Sequence, residues 1–564
     1  MGISAITIEN FKGIKKPIRV ELKPITMLFG PNSAGKSTII QALHYARELF
    51  ERGNTNPDTT LLGGDLLDLG GFEALVNQHD KTKAIRIDFE LDLQNEKLPE
   101  YRDGFEEIGT DLLDNSDSAY LLRIIPRLKN ANVAVLVKWS KRLEKAYISS
   151  YSVHANGEEL ITIDSSSDKL QIHISKINIF NPIFFDEKID PEDNRNLMLK
   201  YIEKSDKSGE KVTSDFWSNF DKDSYHLGDM FTAILHYTNL DNGVFGCTKP
   251  IKLLKQDSGM PYWDRNLIID YSIWAPEEDI KFEDRLNFIR LLSSLAVGPG
   301  ELVRNQLRKL CYVGPLREVP KRGHKPAKSP NEFGWANGLA AYDNLSLSDD
   351  TFVGEVNEWL GNKKRLNSGY SVGVKKYCEL QADSPLMKYL KEGHALNKDD
   401  ALWEELRKLP IKKRLLIRDE AKGLELEPQD IGVGISQVLP VIVASLHHKI
   451  GVVAIEQPEL HIHPAFQVAL GDLFIEQIRE YPDLTFILET HSEHLMLRFL
   501  RRVRETWENE VSNNRNLMSE ELSIYFMEQD ETGIVCTPIG VDKNGDFIDR
   551  WPRGFFDERF EELY

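Results

Sequence analysis

The stretch from Gly30 to Thr38, GPNSAGKST, fits the phosphate-loop pattern G-x-x-x-x-G-K-[ST] at every fixed position. Gly30 and Gly35 let the backbone turn with its N–H groups pointing inward, so that several donors converge on a phosphate. Lys36 supplies a positive charge for the β- and γ-phosphate oxygens, and the Ser37 hydroxyl is a hard ligand suited to Mg²⁺. The stretch therefore predicts a site for a nucleoside triphosphate.

The sequence on both sides of this loop fits the same interpretation. Ile25–Phe29 is an apolar run with the length of a buried strand, and Thr38–Phe50 carries apolar residues at helical spacing. A helix that starts directly after the loop adds the positive end of its dipole beneath the phosphates. We assign six residues to the nucleotide-binding set: Gly30, Asn32, Gly35, Lys36, Ser37 and Thr38.

Length and charge limit the remaining possibilities. At 564 residues the chain is too long for one compact core, and two or three domains are expected. The net charge of −19 disfavours indiscriminate binding of nucleic acid, although a local basic groove stays open. The best candidate is Lys321–Lys328, for which a solvated loop is the alternative. The longest apolar run, Val438–Leu446, is too short for a membrane helix, and no positively charged leader precedes an apolar segment at the N-terminus. We therefore expect a cytoplasmic protein.

Strand and helix patterns divide the chain into three segments. Residues 1–80 carry the phosphate loop, residues 81–310 form an insertion that is strand-rich to about residue 180 and mainly helical from 225, and residues 311–564 complete the site. Gln78 is a candidate for touching the metal or the attacking water, with a surface glutamine as the alternative. No sustained heptads indicate a long coiled coil. Strands of the insertion are predicted at Ile85–Leu93, Val133–Trp139, Ala146–His154 and Leu170–Ile174.

A glycine-rich turn opens the third segment's contribution to the site. The turn Asp430–Gln437 runs into the apolar stretch Val438–His447, which is predicted to be a helix. Ser436 stands where a capping hydroxyl would, leaving free N–H groups to receive an anion. Pro440 falls within or just past the first turn, where a missing N–H costs little. The nucleotide-binding residues predicted here are Gly434, Ser436 and Gln437.

Two apolar strands end in polar residues further along the chain. Gly451–Glu456 is a buried strand that ends in an acid, which places Glu456 to hold Mg²⁺ opposite the phosphate loop. His461 and His463 follow, and we favour a role in bracing a neighbouring subunit over a metal site. A second strand delivers His491, which can donate to a γ-phosphate oxygen and so distinguish ATP from ADP.

These elements together resemble an ABC-type ATPase of the SMC, RecF and OLD (overcoming lysogenisation defect) group. The opening Ile6–Gly13 and the stretch Glu456–Pro464 make the chain specifically similar to prokaryotic "AAA family" ATPases of that group. The ending, Trp551–Glu558, resembles the tail of a subfamily that includes ATPase subunits of Septu-type and retron-linked anti-phage systems. The resemblance covers the first and third segments and leaves the middle without a named motif.

The resemblance implies a fold and an assembly. The fold is an α/β ABC-type ATPase head, with a mixed and parallel sheet and flanking helices, and the cofactors are ATP and Mg²⁺. Two copies would meet head to tail, so that Ser436 of one copy closes over ATP held by Lys36 and Ser37 of the other. One chain cannot complete such a site, so a homodimer or a higher oligomer is expected.

One position departs from the family pattern. Relatives with active hydrolysis commonly carry an acid directly after the metal-binding acid, and here that position is Gln457. A glutamine can orient a water but cannot accept its proton, so either Glu459 is the base or turnover is slow. The catalytic candidates are thus Glu456, Gln457, Glu459 and His491, and the metal ligands are Ser37 and Glu456.

Two functions fit these expectations. In the first, the ATPase is a sensor or clamp in anti-phage defence that controls a separately encoded nuclease, for example of the HNH type. The 73 residues after His491 are too few for the nuclease domain that OLD-type relatives append. In the second, a RecF/SMC-like dimer closes on duplex DNA, with Lys321–Lys328 facing the channel. A nucleotide-depleting toxin and a transporter are disfavoured, because no second catalytic cluster and no membrane segment is found.

Overall fold

The computed structural model describes most of the chain. The described residues are 2–60, 63, 67–94, 97–99, 101, 124–178, 181–184, 238–239, 246–270, 282–327, 332–393, 401–510 and 514–552. Lys328 of the basic loop and most of the tail resemblance at residues 551–558 lie outside this set.

Eighteen strands form within the described residues. They are β1 Ile3–Glu9, β2 Ile18–Glu21, β3 Ile25–Phe29, β4 Ile85–Asp92, β5 Asn130–Ser140, β6 Lys145–Ala155, β7 Glu158–Ser165, β8 Ile172–Ile177, β9 Thr238–Asn239, β10 Gly246–Lys252, β11 Cys311–Val313, β12 Tyr370–Tyr377, β13 Lys412–Asp419, β14 Leu424–Leu426, β15 Gly451–Glu456, β16 Leu484–Glu489, β17 Leu522–Asp530 and β18 Gly533–Ile539.

Ten α-helices accompany these strands in the same part of the chain. They are α1 Lys36–Arg52, α2 Gly71–Leu75, α3 Phe282–Leu307, α4 Leu339–Leu347, α5 Asp350–Gly361, α6 Pro385–Lys391, α7 Ala401–Arg407, α8 Val433–His447, α9 Pro464–Glu480 and α10 Glu493–Trp507.

The largest sheet is antiparallel and crosses the boundary expected at residue 80. Its strand order is β2-β1-β4-β5-β6-β7-β8-β10-β9. Because β1 pairs directly with β4, the strands of the middle segment extend a sheet that begins at the N-terminus. Four of the five described strands from β4 to β8 match predicted runs, and β7 has no counterpart among the predictions.

The mainly helical character expected from residue 225 is wrong for part of that range. Helix α3 is present, and the apolar periodicity before Gly298 had indicated it. Gly246–Lys252 instead forms strand β10, which pairs with β8 near the end of the large sheet. Hydrogen bonding to an existing sheet edge is a tertiary effect that local sequence does not display.

A six-stranded sheet, in the order β11-β15-β16-β3-β17-β18, carries the phosphate loop. All neighbours are parallel except β17 and β18. Strand β3 is fully buried between β16 and β17, as its continuous apolar sequence requires. The carboxyl ends of β3, β15 and β16 therefore meet at one edge, where binding sites of parallel sheets lie.

Two hydrophobic cores cover the faces of this parallel sheet. One core joins Leu28 and Ile487 to α1 and to the large antiparallel sheet. The other joins Met27, Phe29 and Leu488 to helices α4, α5, α8, α9 and α10. The predicted α/β class, with a mixed and parallel sheet between flanking helices, is confirmed. The longest helix among the described residues, α3, has 26 residues, and no long coiled coil is found there.

Candidate functional site

The phosphate loop has the strand–turn–helix geometry that its sequence predicted. Gly30 and Gly35 have φ angles of 143° and 92°, which favour glycine. A Cβ on Gly30 would lie 2.1 Å from the Met527 carbonyl oxygen, and one on Gly35 would lie 2.2 Å from Ile534 Cδ1. The β17–β18 hairpin thus presses against the loop and leaves room for no side chain at either glycine.

Lys36 is held over its own loop. Its Nζ donates to the carbonyl oxygens of Gly30 at 3.0 Å and Pro31 at 2.9 Å, and the side chain is buried. Burial lowers the pKa of Lys36, while Glu489, Glu459 and Glu456 oppose that change. The ammonium therefore lies in the field of three carboxylates, and negatively charged phosphate oxygens can replace its carbonyl acceptors.

Two glutamates end neighbouring strands beside Ser37. Glu456 of β15 is directly opposite Glu489 of β16 in the parallel pairing. The Ser37 hydroxyl donates to Glu489 Oε2 at 2.7 Å, and the Tyr312 hydroxyl donates to Glu456 Oε1 at 3.1 Å. Burial and the charge of Glu489 raise the pKa of Glu456 to about 7, and burial also raises the pKa of Glu489.

This group of oxygens suits Mg²⁺. The charge of Glu489 contributes to the raised pKa of Glu456, and a divalent cation between the two carboxylates would remove that repulsion. Mg²⁺ keeps several waters and needs only one or two protein carboxylates beside a substrate phosphate. Glu456, Glu489 and Ser37 fit that requirement. Within the described ranges, no three His, Cys, Asp or Glu side chains form a metal site by themselves.

A cavity of about 480 Å³ opens next to these groups. Its lining residues are Pro31, Asn32, Gln457, Glu459, Leu460 and His491. His491 Nε2 is buried and has no hydrogen-bond partner in the described part of the protein. Burial and the charge of Lys36 lower the pKa of His491. A neutral imidazole with an unpaired nitrogen at the cavity fits a contact with a phosphate oxygen.

The turn after β15 fixes the orientation of His491. Glu459 accepts hydrogen bonds from the Thr490 hydroxyl at one oxygen and from the His491 backbone N–H at the other, both at 2.7 Å. Gln457 has a φ of 46°, and its N–H donates to the Glu489 carbonyl oxygen at 2.7 Å. The turn and the end of β16 therefore form one unit, and Glu459 holds the histidine while it lines the cavity.

His461 and His463 lie in the same turn. His463 Nδ1 accepts a hydrogen bond from the Ala465 N–H at 3.2 Å and so caps α9. A Cβ on Gly434 would be 3.2 Å from the His461 carbonyl oxygen, so this turn also lies against the start of α8. These contacts lie within one chain, so the bracing of a neighbouring subunit by His461 and His463 stays a prediction.

The predicted boundary at Ser436 is wrong. Helix α8 begins at Val433, its N-cap residue is Gly432, and Ser436 lies inside the first turns. The Ser436 hydroxyl donates to the Val433 carbonyl oxygen at 2.9 Å and is buried. Gln437 is also buried, and its Nε2 donates to the Arg317 carbonyl oxygen. The residues left open to solvent at the helix start are Gly432 and Val433, with Gly434 partly covered.

Pro440 is therefore inside the helix, contrary to the prediction that it lies in or just past the first turn. Proline has no N–H for the carbonyl oxygen four residues earlier, which belongs to Ser436. The Tyr342 hydroxyl from α4 donates to that carbonyl at 3.2 Å. A side chain 94 residues away thus replaces the missing helical hydrogen bond.

Gln78 and the basic loop are not brought to the cavity lining. Gln78 Oε1 accepts a hydrogen bond from Lys83 Nζ at 2.9 Å. In the described part of the basic loop, Arg322 pairs with Asp430 and His324 contacts Asp343, each at 2.6 Å.

Glu489, Tyr312 and Arg317 are parts of the site that the sequence did not indicate to us. Glu489 ends an apolar strand as Glu456 does, and that repeated pattern is a signal that could have found it. Tyr312 and Arg317 have no such signal, because their roles depend on β11 pairing with β15.

Three protein-family models match parts of this chain. Residues 1–227 match the model described as "AAA ATPase domain". These residues are similar to AAA-type ATPase domains, which supports an ATP-binding ATPase. A second match, "AAA domain, putative AbiEii toxin, Type IV TA system", covers residues 373–497 of the ATPase, and residues 517–564 match "Protein of unknown function (DUF3696)". ATP binding is the activity that these matches support, and no curated protein matches the chain.

Solved structures with low similarity include three Smc heads. One is the Smc head bound to the C-terminal winged-helix domain of ScpA, at 9% identity and a TM-score of 0.35, covering 96% of the ATPase and 99% of the other chain. A second is the Smc head from Pyrococcus furiosus with an extended coiled coil, bound to the C-terminal domain of ScpA. Its sequence identity is 10% and its TM-score is 0.34, and the match covers 100% of this chain and 98% of the other chain. A third is the SMC head domain from Thermotoga maritima. Its sequence identity is 8% and its TM-score is 0.33, and the match covers 96% of this chain and 100% of the other chain. These values are too low to carry an argument.

In the parts of the ATPase that the structure describes, none of the helices is both long enough and apolar enough to cross a membrane.

Proposed function

We propose that this ATPase binds Mg²⁺-ATP at the cavity beside the phosphate loop. The loop N–H groups and Lys36 hold the phosphates, Ser37 with Glu456 and Glu489 holds the metal, and His491 contacts the γ-phosphate. The observation that carries this proposal is the buried Glu456–Glu489 pair beside the Ser37 hydroxyl, with the unpaired His491 Nε2 at the same cavity.

We propose further that two copies complete each site. Gly434, Ser436 and Gln437 do not line the cavity of their own chain. The start of α8 is partly open to solvent, and helix N-terminal N–H groups favour anions. Supplied by a second copy, this helix start would cap the γ-phosphate.

Slow hydrolysis is the third part of the proposal. Gln457 lines the cavity where an acid would serve as base, and it cannot take a proton from water. Glu459 also lines the cavity, but both of its oxygens already accept hydrogen bonds. Moving a proton to Glu459 would weaken these bonds, because a neutral carboxyl group is a poorer acceptor than a carboxylate.

The biological role we propose is a dimeric sensor or clamp in anti-phage defence that controls a separate nuclease. The description matched by residues 373–497 names a putative toxin of a TA system, which supports action together with a second component. ATP-driven closure of two copies provides a state change that a bound nuclease can follow.

The first experiment combines light scattering after gel filtration with an ATPase assay. The wild-type protein should form a dimer with ATP and Mg²⁺, and Lys36→Ala should bind no ATP and stay monomeric. A protein that is monomeric in both conditions would refute the shared site. Purification of the ATPase from its native operon, with and without ATP, then tests for the nuclease.

A basic strip favours the RecF/SMC-like alternative. On β12 and β13, Lys375 lies opposite Arg414 and Lys376 lies opposite Lys413, and like charges in such positions are destabilising. Glu425 and Glu427 compensate Lys375 and Arg414. The phosphates of duplex DNA would compensate the positive charges of all four basic residues.

Fluorescence anisotropy with labelled duplex DNA separates the two roles. The alternative predicts ATP-dependent binding that falls steeply with salt, and that is weakened by Lys376→Ala together with Lys413→Ala. Binding that is absent at low salt would exclude this role and leave the nuclease-controlling one.

A further inference from the structure

Arg317 is a buried cation that follows β11. Only 4% of its surface is exposed, and within the described residues it forms no ion pair, although the charges of Glu459 and Glu456 favour its charged form. Burial lowers the pKa of Arg317 to about 10. A buried guanidinium without a carboxylate partner is costly, so its contacts with neighbouring groups must offset that cost.

The guanidinium joins two elements that have different places in the proposed assembly. Nη2 donates to the carbonyl oxygens of Glu456 at 2.7 Å and Gln457 at 3.1 Å. Nη1 donates to the carbonyl oxygen of Gln437, in α8, at 3.3 Å. Gln437 Nε2 in turn donates to the Arg317 carbonyl oxygen at 2.8 Å. The same residue is thus bound to the acid-ended turn and to the helix that starts at Val433.

These two elements serve different ATP molecules if the proposed dimer is correct. The turn at Glu456 and Gln457 lies at the chain's own phosphate loop. The start of α8 would close over the ATP of the second copy. A rearrangement of the turn on ATP binding changes the acceptors of the guanidinium, and the reciprocal bonds with Gln437 carry that change to α8.

We propose that Arg317 is a positioning residue that couples the two ATP sites of the dimer. It sets the orientation of the α8 start according to the state of the Glu456–Gln457 turn. This inference rests on the proposed shared site. A planar fork can reach three carbonyl oxygens on two elements at once, which an ammonium cannot do with the same geometry.

The test compares Arg317→Lys with Arg502→Lys as a matched control. Arg502 is also buried, at 9% exposed, but it pairs with Asp472 between α9 and α10. Arg317→Lys should keep the affinity of the monomer for a fluorescent ATP analogue within about twofold, while kcat and ATP-dependent dimerisation each fall at least about tenfold. The Hill coefficient for ATP should fall towards 1. Arg502→Lys should lower Tm and leave these quantities unchanged.

Hydrogen exchange provides a second measurement that does not depend on turnover. In the wild-type protein, ATP should change the exchange of amides at residues 432–437, and in Arg317→Lys that response should be lost while exchange at the phosphate loop still responds. Equal dimerisation and equal α8 response in both proteins would overturn the inference and leave the shared site intact. A wild-type protein that never dimerises with ATP would refute the shared site and the coupling together. If both Lys variants lose ATP affinity in proportion to their decrease in Tm, Arg317 only stabilises the fold, and the coupling role is wrong.

Discussion

At the scale of single residues, we propose that Gln457 and Glu459 determine how fast ATP is cleaved. Gln457 stands after the strand-ending acid, and its side chain lines the cavity. Glu459 is held by the Thr490 hydroxyl and the His491 N–H. In the proposed mechanism Gln457 orients the attacking water, and Glu459 is a carboxylate that already accepts two hydrogen bonds.

The first prediction concerns Gln457→Glu. A carboxylate at this position can accept the proton of the attacking water, so kcat should rise by about 10²-fold, the low end of general-base effects. Phosphate release under single-turnover conditions measures the change. Glu459→Gln should lower the wild-type rate further, and a rate that is unchanged in both variants would place the base elsewhere.

The second prediction concerns His44, which lies on α1 with its ring against Tyr312. Burial lowers the pKa of His44 to about 3. The unfolded chain therefore takes up a proton near pH 6.5 and the folded protein does not, so stability is full above that pH and is lost as pH falls. Between pH 7 and pH 5 this residue costs about 2 kcal/mol of unfolding free energy. The free energy of unfolding of His44→Leu, measured with urea, should fall less between pH 7 and pH 5 than that of the wild-type protein. An identical pH dependence in the two proteins would contradict the lowered pKa of His44.

The phosphate loop could be predicted from its glycines, whereas site residues that other strands contribute could not. The turn at Gly30 and Gly35 follows from the residues themselves, so the sequence was sufficient. The importance of Glu489 follows from β16 lying between β15 and β3, and strand order was not available from spacing. Ser436 was placed at the helix cap because the glycine-rich turn was expected to extend to it.

At the scale of elements, helix α8 depends on a distant hydroxyl. Pro440 leaves the Ser436 carbonyl oxygen without a helical donor, and Tyr342 supplies one. Sequence rules placed Pro440 near the first turn because local rules allow proline only there. The contact from α4 makes the interior position possible.

The third prediction tests this contact by a double-mutant cycle. Tyr342→Phe leaves the Ser436 carbonyl unpaired and should cost about 1–3 kcal/mol. In a Pro440→Ala background the restored N–H can bond that carbonyl, so the same tyrosine change should cost much less. Equal costs in both backgrounds, measured by urea unfolding, would show that the hydroxyl is not the replacement donor.

The fourth prediction compares two glycine substitutions. Gly35→Ala should abolish ATP binding, because the new Cβ meets Ile534 and φ is 92°. Gly354→Ala, in helix α5, has no atom within 4 Å of the new Cβ and should stabilise the protein by up to about 1 kcal/mol. Calorimetry and ATP titration check both. Normal ATP binding by Gly35→Ala would contradict the tight loop geometry.

At the scale of the whole molecule, the parallel sheet carries the acids and the phosphate loop, and α8 presents its start outside that cavity. The α/β class could be predicted because the phosphate loop, the glycine-rich turn and the two polar-ended strands resemble those of ABC-type ATPase heads. The extension of the N-terminal sheet through β4 to β8 could not, because pairing of β1 with β4 involves residues far apart in sequence. In the proposed dimer, the two halves of each ATP site come from different molecules.

Mixing two inactive variants tests the shared site most directly. Lys36→Ala removes the phosphate contact, and Val433→Asp places a negative charge at the exposed start of α8, where the residue is 59% exposed. Each variant should be inactive alone, and an equimolar mixture should recover up to roughly a quarter of the wild-type rate, because only a mixed dimer holds an intact site, and it holds one. A mixture as inactive as its components, or a Val433→Asp protein with full activity, would contradict a site shared between two copies.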